Sequence, residues 1–503
     1  MKTVSRALGA GWKRAQNSPT LCWSIVGLIP FLVYLRTLAP TVYGLDSAEL
    51  TTGAWCLGIV HSPGSPTYLL LGHMFGWLPF GDVGYRLNLM SAVASALGAL
   101  FVGRIVFRLT GSFWPSVLAA WLLTFSYYYW VWALAAELYS SHACWVAGLV
   151  VLTLRWEATQ RRDLAFLVAF LFGLSMGNHM ATVLLLPAFS GFILTHPSRP
   201  WRSPGWLLKM VVYGVLGFSV YLYLPLRHLA SPPLDYVRDY CPQINLASWP
   251  GFTWMVTGQM FSSMYFQVPA TSWSGELARF AHQMVSNFHG LGLVIGAAGL
   301  CLDFRIRKRL QCALVCMFVC HLVFYVSYGA GDKAWMFSIT YVIWAIWFGL
   351  GLYHIAAMLR ARSLPFAVLA PVAVGALLVF ALFVTNRTYA DLSHDTSPRD
   401  RGERVFAQVE PGALVVCAWD DAPVLEYLQI VEGRRRDIRV LNWWLFGAER
   451  SRALVLDELK AGRAVYTSNT GFLSNEPVTY NSVDHCHLVQ VLSANRNRKK
   501  EGL

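Results

Sequence analysis

The chain holds about eleven mostly apolar stretches of the length a helix needs to cross a bilayer's hydrocarbon core. They lie near 21–39, 87–107, 113–133, 139–154, 164–177, 180–195, 206–226, 288–303, 310–328, 335–359 and 364–385. Those at 139–154 and 164–177 are short and read as tilted or broken. The segment 61–80 is apolar but is cut by Pro63, Pro66 and Pro79, so it reads as an interfacial or re-entrant piece. Charged residues make up only 13% of the 503, where a soluble domain carries about 25%. That excludes an ordinary soluble enzyme and excludes disorder. The pattern predicts an α-helical multi-pass membrane protein over residues 1–385. The polar tail, 386–503, reads as a separate small domain.

The net charge of +13 is a question of placement. Lys2, Arg6, Lys13 and Arg14 precede the first stretch. Arg104, Arg155, Arg199, Arg305 and Arg360, with basic neighbours, recur in every second loop. The intervening loops hold Arg36, Arg86, Arg227, Arg238, Arg279 and Lys333. The positive-inside rule then predicts a cytoplasmic N-terminus and an extracytoplasmic tail, in a bacterial inner membrane or a eukaryotic endoplasmic reticulum. The basic N-terminus and first apolar stretch lack a small-residue cleavage site and read as an uncleaved first span. The tail carries equal numbers of basic and acidic residues, so no basic domain exists to bind nucleic acid.

Within the tail, ALVVCAWD, DIRVLNWWL and RAVYTSN read as strands, and APVLEYLQIVEG and RSRALVLDELKAG as helices, which predicts a small α/β layer. The Arg434–Arg436 run reads as a solvated turn. Cys312, Cys316 and Cys320 share one helical face, as small packing residues do. Cys417 and Cys486 would face an oxidising compartment, but spacing alone does not dictate a disulfide. GLGLVIGAAG at 290–299 opens a span with no preceding strand, so its glycines read as packing residues and not a dinucleotide fingerprint. Asn386-Arg-Thr388 fits a glycosylation sequon, relevant only in a eukaryotic lumen. No metal ligand set is apparent, and a divalent metal requirement is left open.

Ionisable residues are nearly absent from the middles of the spans, which argues against an ion-coupled transporter. They collect at the predicted outer turns instead: Asp46, Glu49 and His61, then Glu137, Tyr139 and His142, then Asn178 and His179, then Arg227 and Asp235, then Asp332 and Lys333. Each has an ordinary explanation. Asp46 and Glu49 stand three apart, as in a helix capping box. His179 could bond within its own turn, and Arg227 and Lys333 could snorkel to the interface. Five such turns on one side together suggest a polar site near the lipid headgroups.

Several ordered segments, GLDSAEL, HSPGSPTYLLLG, LPFGDVGYRLNLMSAV, WALAAELYS, GLSMGNHMA, YLPLRHLASPPLDY and YGAGDKAWMF, resemble the transmembrane-protein-260-type family over about 35–360. The tail segment PGALVVCAWDDAPVLEYLQIVEGRRRDIRVLN is similar to bacterial relatives of unknown function. The chain departs from the family pattern at Ala48, where glycine is more usual, and around Ser62 and Ser65. The resemblance implies a GT-C-type, inverting membrane glycosyltransferase, with mannose or another hexose carried on a polyprenyl or dolichyl phosphate as donor substrate. The acceptor would be a hydroxyl of a protein, with Ser or Thr foremost, or of a glycan. It also implies Asp46 as general base, with Glu49 in support, while His61, Glu137, Asn178 and His179 shape the sugar and acceptor site. Arg227, Lys333 and Arg86, beside Asp332, are the candidates for the donor phosphate. Two other classes stay open at this stage: a lipid-linked sugar flippase, and a non-catalytic assembly protein acting through its tail.

Overall fold

The computed structural model describes residues 20–331, 333–483 and 487–493. Asp332, Cys486 and the basic Lys2, Arg6, Lys13 and Arg14 lie outside the described residues. A helix occupies each apolar stretch read from the sequence. Six are long and apolar enough to cross a membrane: Val83–Thr110, Pro204–Leu229, Ala270–Phe304, Lys308–Ser327, Lys333–Ala361 and Leu369–Ala390. Trp23–Thr37, Phe113–Phe125 and Met180–Leu194 are shorter apolar helices. The difference from eleven has local causes. The 113–133 stretch breaks at Ser126, whose backbone is extended, and restarts as Tyr127–Trp132. The helices Leu138–Thr159 and Arg162–Met176 carry Arg155, Glu157, Arg162 and Asp163 at their ends, which shortens their apolar runs.

The chain is a multi-pass integral membrane protein. The Pro204–Leu229 helix leaves Leu208, Val211, Val215 and Leu226 each more than half exposed, and Leu369–Ala390 does the same with Leu377 and Phe380. Apolar faces of that extent are stable against lipid and not against water. The helices Val83–Thr110 and Ser338–Ala361 sit inside the bundle, with Ala99, Val102, Tyr341 and Phe348 fully covered.

Glycine sets how close the helices come. The 290–299 glycines do pack: a side chain at Gly296 would meet the Trp344 ring, and one at Gly299 would meet the Trp347 carbonyl. Gly217 lies as tightly against the Phe170 carbonyl. Gly299→Leu is expected to cost about 1–3 kcal/mol or prevent folding, read as a lower thermal midpoint in detergent. An unchanged midpoint would mean these helices are not locked at that contact. The cysteine face differs from expectation. Cys312 is exposed and Cys316 and Cys320 only half covered, so this face is not a tight seam. Asn386 is buried within its helix and donates to the Phe125 carbonyl at 2.8 Å, so the sequon is not presented as an open loop.

The tail forms a five-stranded sheet: β1 (Leu414–Cys417), β2 (Arg439–Asn442), β3 (Val465–Thr467), β4 (Val478–Ser482) and β5 (Val489–Ser493), in the order β2-β1-β3-β5-β4. β1 pairs parallel with β2 and β3, with Leu414 opposite Arg439 and Val465. The β3–β5 and β5–β4 pairs are antiparallel. Central β1 is buried on all four residues, as a parallel strand covered on both faces requires. Edge strand β4 is mostly exposed and polar, so it lacks the apolar alternation that marks a strand in sequence. Arg434 and Arg435 are less free than a solvated turn. They pair with Glu403 and Asp437, and Arg435 also reaches the carbonyls of Phe406 and Val409.

A second hydrophobic core joins this sheet to the membrane part. Leu50, Ala54, Ile59, Leu69, Leu224 and Val237 share it with Val405, Val415, Val424, Leu425 and Leu428. Arg399 makes a two-bond fork to Glu432 and also approaches Asp82, and the Tyr427 hydroxyl accepts from the Gly84 amide. These contacts seat the helix Ala422–Ile430 against the helix Asp46–Cys56.

Candidate active site

The expected capping box is absent. Leu45 takes the N-cap position at φ 57° and caps with no side chain, and Asp46 is the first helical residue. The helix ends at Leu57 in the left-handed region. From there Ile59 pairs with the chain at Leu234–Tyr236, through Ile59 N to Leu234 O at 2.8 Å and Tyr236 N to Ile59 O at 2.9 Å. This turn returns His61 to the helix it has just left.

Glu49 is fully buried, and His61 supplies both of its partners. The His61 amide donates to Oε1 at 2.5 Å and Nδ1 donates to Oε2 at 2.7 Å. Burial pulls the His61 imidazole down. The charges of Glu49 and Asp46, with the Glu49 hydrogen bond, outweigh it and push the ring up to about 9. His61 is therefore cationic, beside a Glu49 carboxyl that burial pushes up against the opposing pull of His61. Asp46 is the carboxylate with capacity to spare: its Oδ1 accepts one bond, from the Trp419 indole Nε1 at 2.8 Å. Among the described residues, Asp46, Glu49 and His61 are the group whose ligand atoms, all within 4.8 Å of one another, have the separation a metal needs.

The rest of the wall comes from distant segments. The Ala136 amide donates to Ser47 Oγ at 3.1 Å and to Asn88 Oδ1 at 2.9 Å, which lays Glu137 beside the Asp46 helix. The Glu137 charge acts on His61. The Thr67 amide donates to the Gly177 carbonyl at 2.8 Å, so the short Pro66–Gly76 helix abuts the turn bearing Asn178 and His179. The His179 ring stacks on His142 with centroids 4.6 Å apart, and His142 lies 5.7 Å from His321. Burial, with His61's charge second, pushes His179 down to about 4, so it is neutral. Asn178, His142 and His321 are fully buried, and their polar side-chain atoms have no hydrogen-bond partner among the described residues. Such groups are suited to hydroxyls, which both donate and accept.

The three expected cations differ in what they are free to do. Arg86 donates to the carbonyls of Phe80, Gly76 and Gly81 and braces that loop. Lys333 is buried, pairs with Glu276 at 2.8 Å and donates to the Val326 and Tyr328 carbonyls. Arg227 uses Nε on Leu57 O at 2.6 Å and Nη2 on Cys56 O at 3.2 Å, at the open C-terminus of the Asp46 helix. Arg227 is partly exposed, and its Nη1 makes neither of these bonds.

Two site residues escaped the sequence reading, Trp419 and Glu426, and both come from the tail. The available signal was AWDD directly after a buried strand, because α/β sheets present functional groups at the carboxyl ends of parallel strands. Glu426 accepts from the Tyr236 hydroxyl at 2.6 Å and the Tyr240 hydroxyl at 3.4 Å. Burial, with the nearby Glu49 charge, pushes its carboxyl up to about 8. A raised carboxyl makes the folded state lose stability as pH rises from the ordinary carboxylate range through about 8. Glu426→Gln is expected to flatten that decline, read as thermal midpoint against pH. A wild-type slope in the variant would contradict it.

Residues 46–201 match the family described as Protein O-mannosyl-transferase TMEM260 N-terminal domain. The chain is 36% identical over 205 residues to Protein O-mannosyl-transferase TMEM260 of Mus musculus, covering 40% of this chain and 29% of that protein. It is 22% identical over 342 residues to Protein O-mannosyl-transferase tmem260 of Dictyostelium discoideum, covering 63% of this chain and 41% of that one. The matches thus span less than half the length of these curated relatives. In fold it superposes on ArnT from Cupriavidus metallidurans bound to undecaprenyl phosphate, with TM-score 0.59 and 13% identity over 94% of this chain and 97% of that chain. The Archaeoglobus fulgidus oligosaccharyltransferase, in complex with Zn and sulfate, aligns with TM-score 0.51 and 14% identity over 88% of this chain and 67% of that one. In sequence over residues 46–201 the chain is similar to the TMEM260 protein O-mannosyl-transferases, and over nearly its whole length it shares the fold of ArnT.

Proposed function

We propose that this protein is a membrane glycosyltransferase that moves a sugar, mannose or another hexose, from a polyprenyl-phosphate carrier to an acceptor hydroxyl. A protein Ser or Thr is the favoured acceptor. The carrying observation is the Asp46 carboxylate: one oxygen is held by Trp419, the other is unengaged, and it stands beside the Glu49–His61 pair in a GT-C-type fold. The similarity to named O-mannosyl-transferases and to an undecaprenyl-phosphate-bound structure supports the donor class.

In this reading Asp46 takes the proton of the acceptor hydroxyl as its oxygen attacks C1 of the sugar. The bond from C1 to the phosphate oxygen breaks, its electron pair leaves with the polyprenyl phosphate, and the anomeric centre inverts. The transition state is oxocarbenium-like. Negative charge grows on the leaving phosphate, and Arg227 is the cation with donors to meet it. The N-terminus is assigned to the cytoplasm, with the Asp46 loop and residues 386–503 on the other side, from the alternation of basic loops.

Arg227→Ala is expected to raise the donor KM about tenfold or more while acceptor KM stays near wild type. Unchanged donor kinetics would remove Arg227 from the phosphate role. The wider reading is tested by mass spectrometry of exported glycans and glycoproteins from a deletion strain complemented with wild type or Asp46→Asn. Loss of one hexose-bearing product in the deletion and in Asp46→Asn, and its return with wild type, supports a transferase. Label crossing a bilayer with purified protein and no product formed would instead indicate a flippase.

A further inference from the structure

Asp46 and Trp419 are separated by 373 residues, yet the Trp419 indole is a protein donor to the Asp46 side chain, at 2.8 Å. The tail holds this indole firmly. β1, between two parallel neighbours, ends at Cys417, and the next residues form the tight turn into the Ala422–Ile430 helix. The Ala418 amide donates to Ser468 Oγ at 3.1 Å, and the Asp421 amide to the Ala418 carbonyl at 3.2 Å. His487 Nε2 meets Asp421 Oδ2 at 2.5 Å. The Trp419 ring lies edge-on to His61 at 5.5 Å and to Trp444 at 5.6 Å, and Phe261 touches both His61 and Trp444. Three rings, His61, Trp444 and Phe261, thus cluster with the indole that holds Asp46.

An indole has one N–H and no acceptor. Given to Oδ1, it leaves Oδ2 as the oxygen that can reach an acceptor. An aspartate's terminal torsion is broad and roughly two-fold, so nothing intrinsic to the side chain selects that arrangement. Of the His61 donors, the amide and Nδ1 are committed to Glu49. Reaction needs the base placed within a few tenths of an ångström. We propose that Trp419 is a positioning residue for Asp46, so that the α/β tail completes the catalytic centre of the membrane domain. This rests on the reading of Asp46 as the base. The indole selects the carboxylate rotamer by holding Oδ1.

The test is made on the full-length protein in lipid nanodiscs. The Trp419 indole is replaced by benzothiophene, which keeps the ring shape and deletes the N–H, and Trp419→Phe is made beside it. With a polyprenyl-phosphate sugar and an acceptor peptide, both changes are expected to lower kcat about 10–100-fold. Donor KM should stay near wild type. The thermal midpoint of the benzothiophene protein should stay near wild type, which separates positioning from folding. Wild-type kcat in the benzothiophene protein would overturn the proposal. Asp46→Asn is run in parallel. If Asp46→Asn is inactive while the benzothiophene protein behaves as wild type, only the Trp419 role falls. If Asp46→Asn is active, the base assignment and the Trp419 role fall together.

Discussion

Asp46→Asn is expected to lower sugar transfer about 10²–10⁴-fold, the range a positioned general base contributes. The substitution is nearly isosteric. The introduced amide can still accept from Trp419 through its oxygen, and the Glu49–His61 pair is made without Asp46, so the fold should hold. The loss should fall on kcat, because a proton is transferred only in the reaction and not on binding. Thermal midpoint and donor KM near wild type, with kcat collapsed, is the pattern that assigns the base. A rate within a few-fold of wild type in a folded Asp46→Asn protein would show that another group takes the proton.

Glu49→Ala is the second large effect, and it is structural. The variant leaves the His61 amide and a cationic imidazole without their partner in a site from which water is largely excluded. Breaking such a buried pair on one side costs about 3–5 kcal/mol, enough to exhaust much of a protein's margin. Glu49→Gln should cost less, because an amide oxygen still accepts one of the two bonds. The pH dependence has a definite sign. His61 is raised in the folded state to about 9, so the stability it contributes is full below the ordinary histidine range and lost as pH rises through about 9. Glu49→Ala should abolish that alkaline decline. Measuring the thermal midpoint between neutral pH and pH 10 for wild type and variant checks both points. A Glu49→Ala protein as stable as wild type would show that the pair is not a support of the loop.

What the residues announce in advance, and what they do not, follows from the range of the forces involved. The bundle was legible because apolar run length is local to each segment. The turn at Asn178 and His179 was legible too, but the break at Ser126 was not, since it ends a helix through an extended backbone that composition does not mark. Strands β1 to β3 were legible as apolar blocks, whereas the exposed edge β4 and its partner β5 gave no such pattern. In the site, Asp46, Glu49 and His61 stand close in the chain, and their meeting needs one turn. The capping alternative for Asp46 and Glu49 is not realised, because Leu45 takes the N-cap and Glu49 turns inward to His61. Arg86 and Lys333 looked like free cations, and their commitment to carbonyls and to Glu276 shows only after tertiary folding. Trp419 and Glu426 are hundreds of residues away and reach the site through the packing of the Ala422–Ile430 helix on the Asp46–Cys56 helix.

The most direct measurement of the central claim is product formation by the purified protein. Wild type in nanodiscs is incubated with a polyprenyl-phosphate hexose and a Ser/Thr-containing acceptor peptide, and the peptide is weighed by mass spectrometry beside an Asp46→Asn control. The account predicts a hydroxyl-linked gain of one hexose, of inverted anomeric configuration, with wild type and none above background with Asp46→Asn. Equal product from both proteins would contradict it, as would labelled donor moving across the bilayer with no acceptor modified.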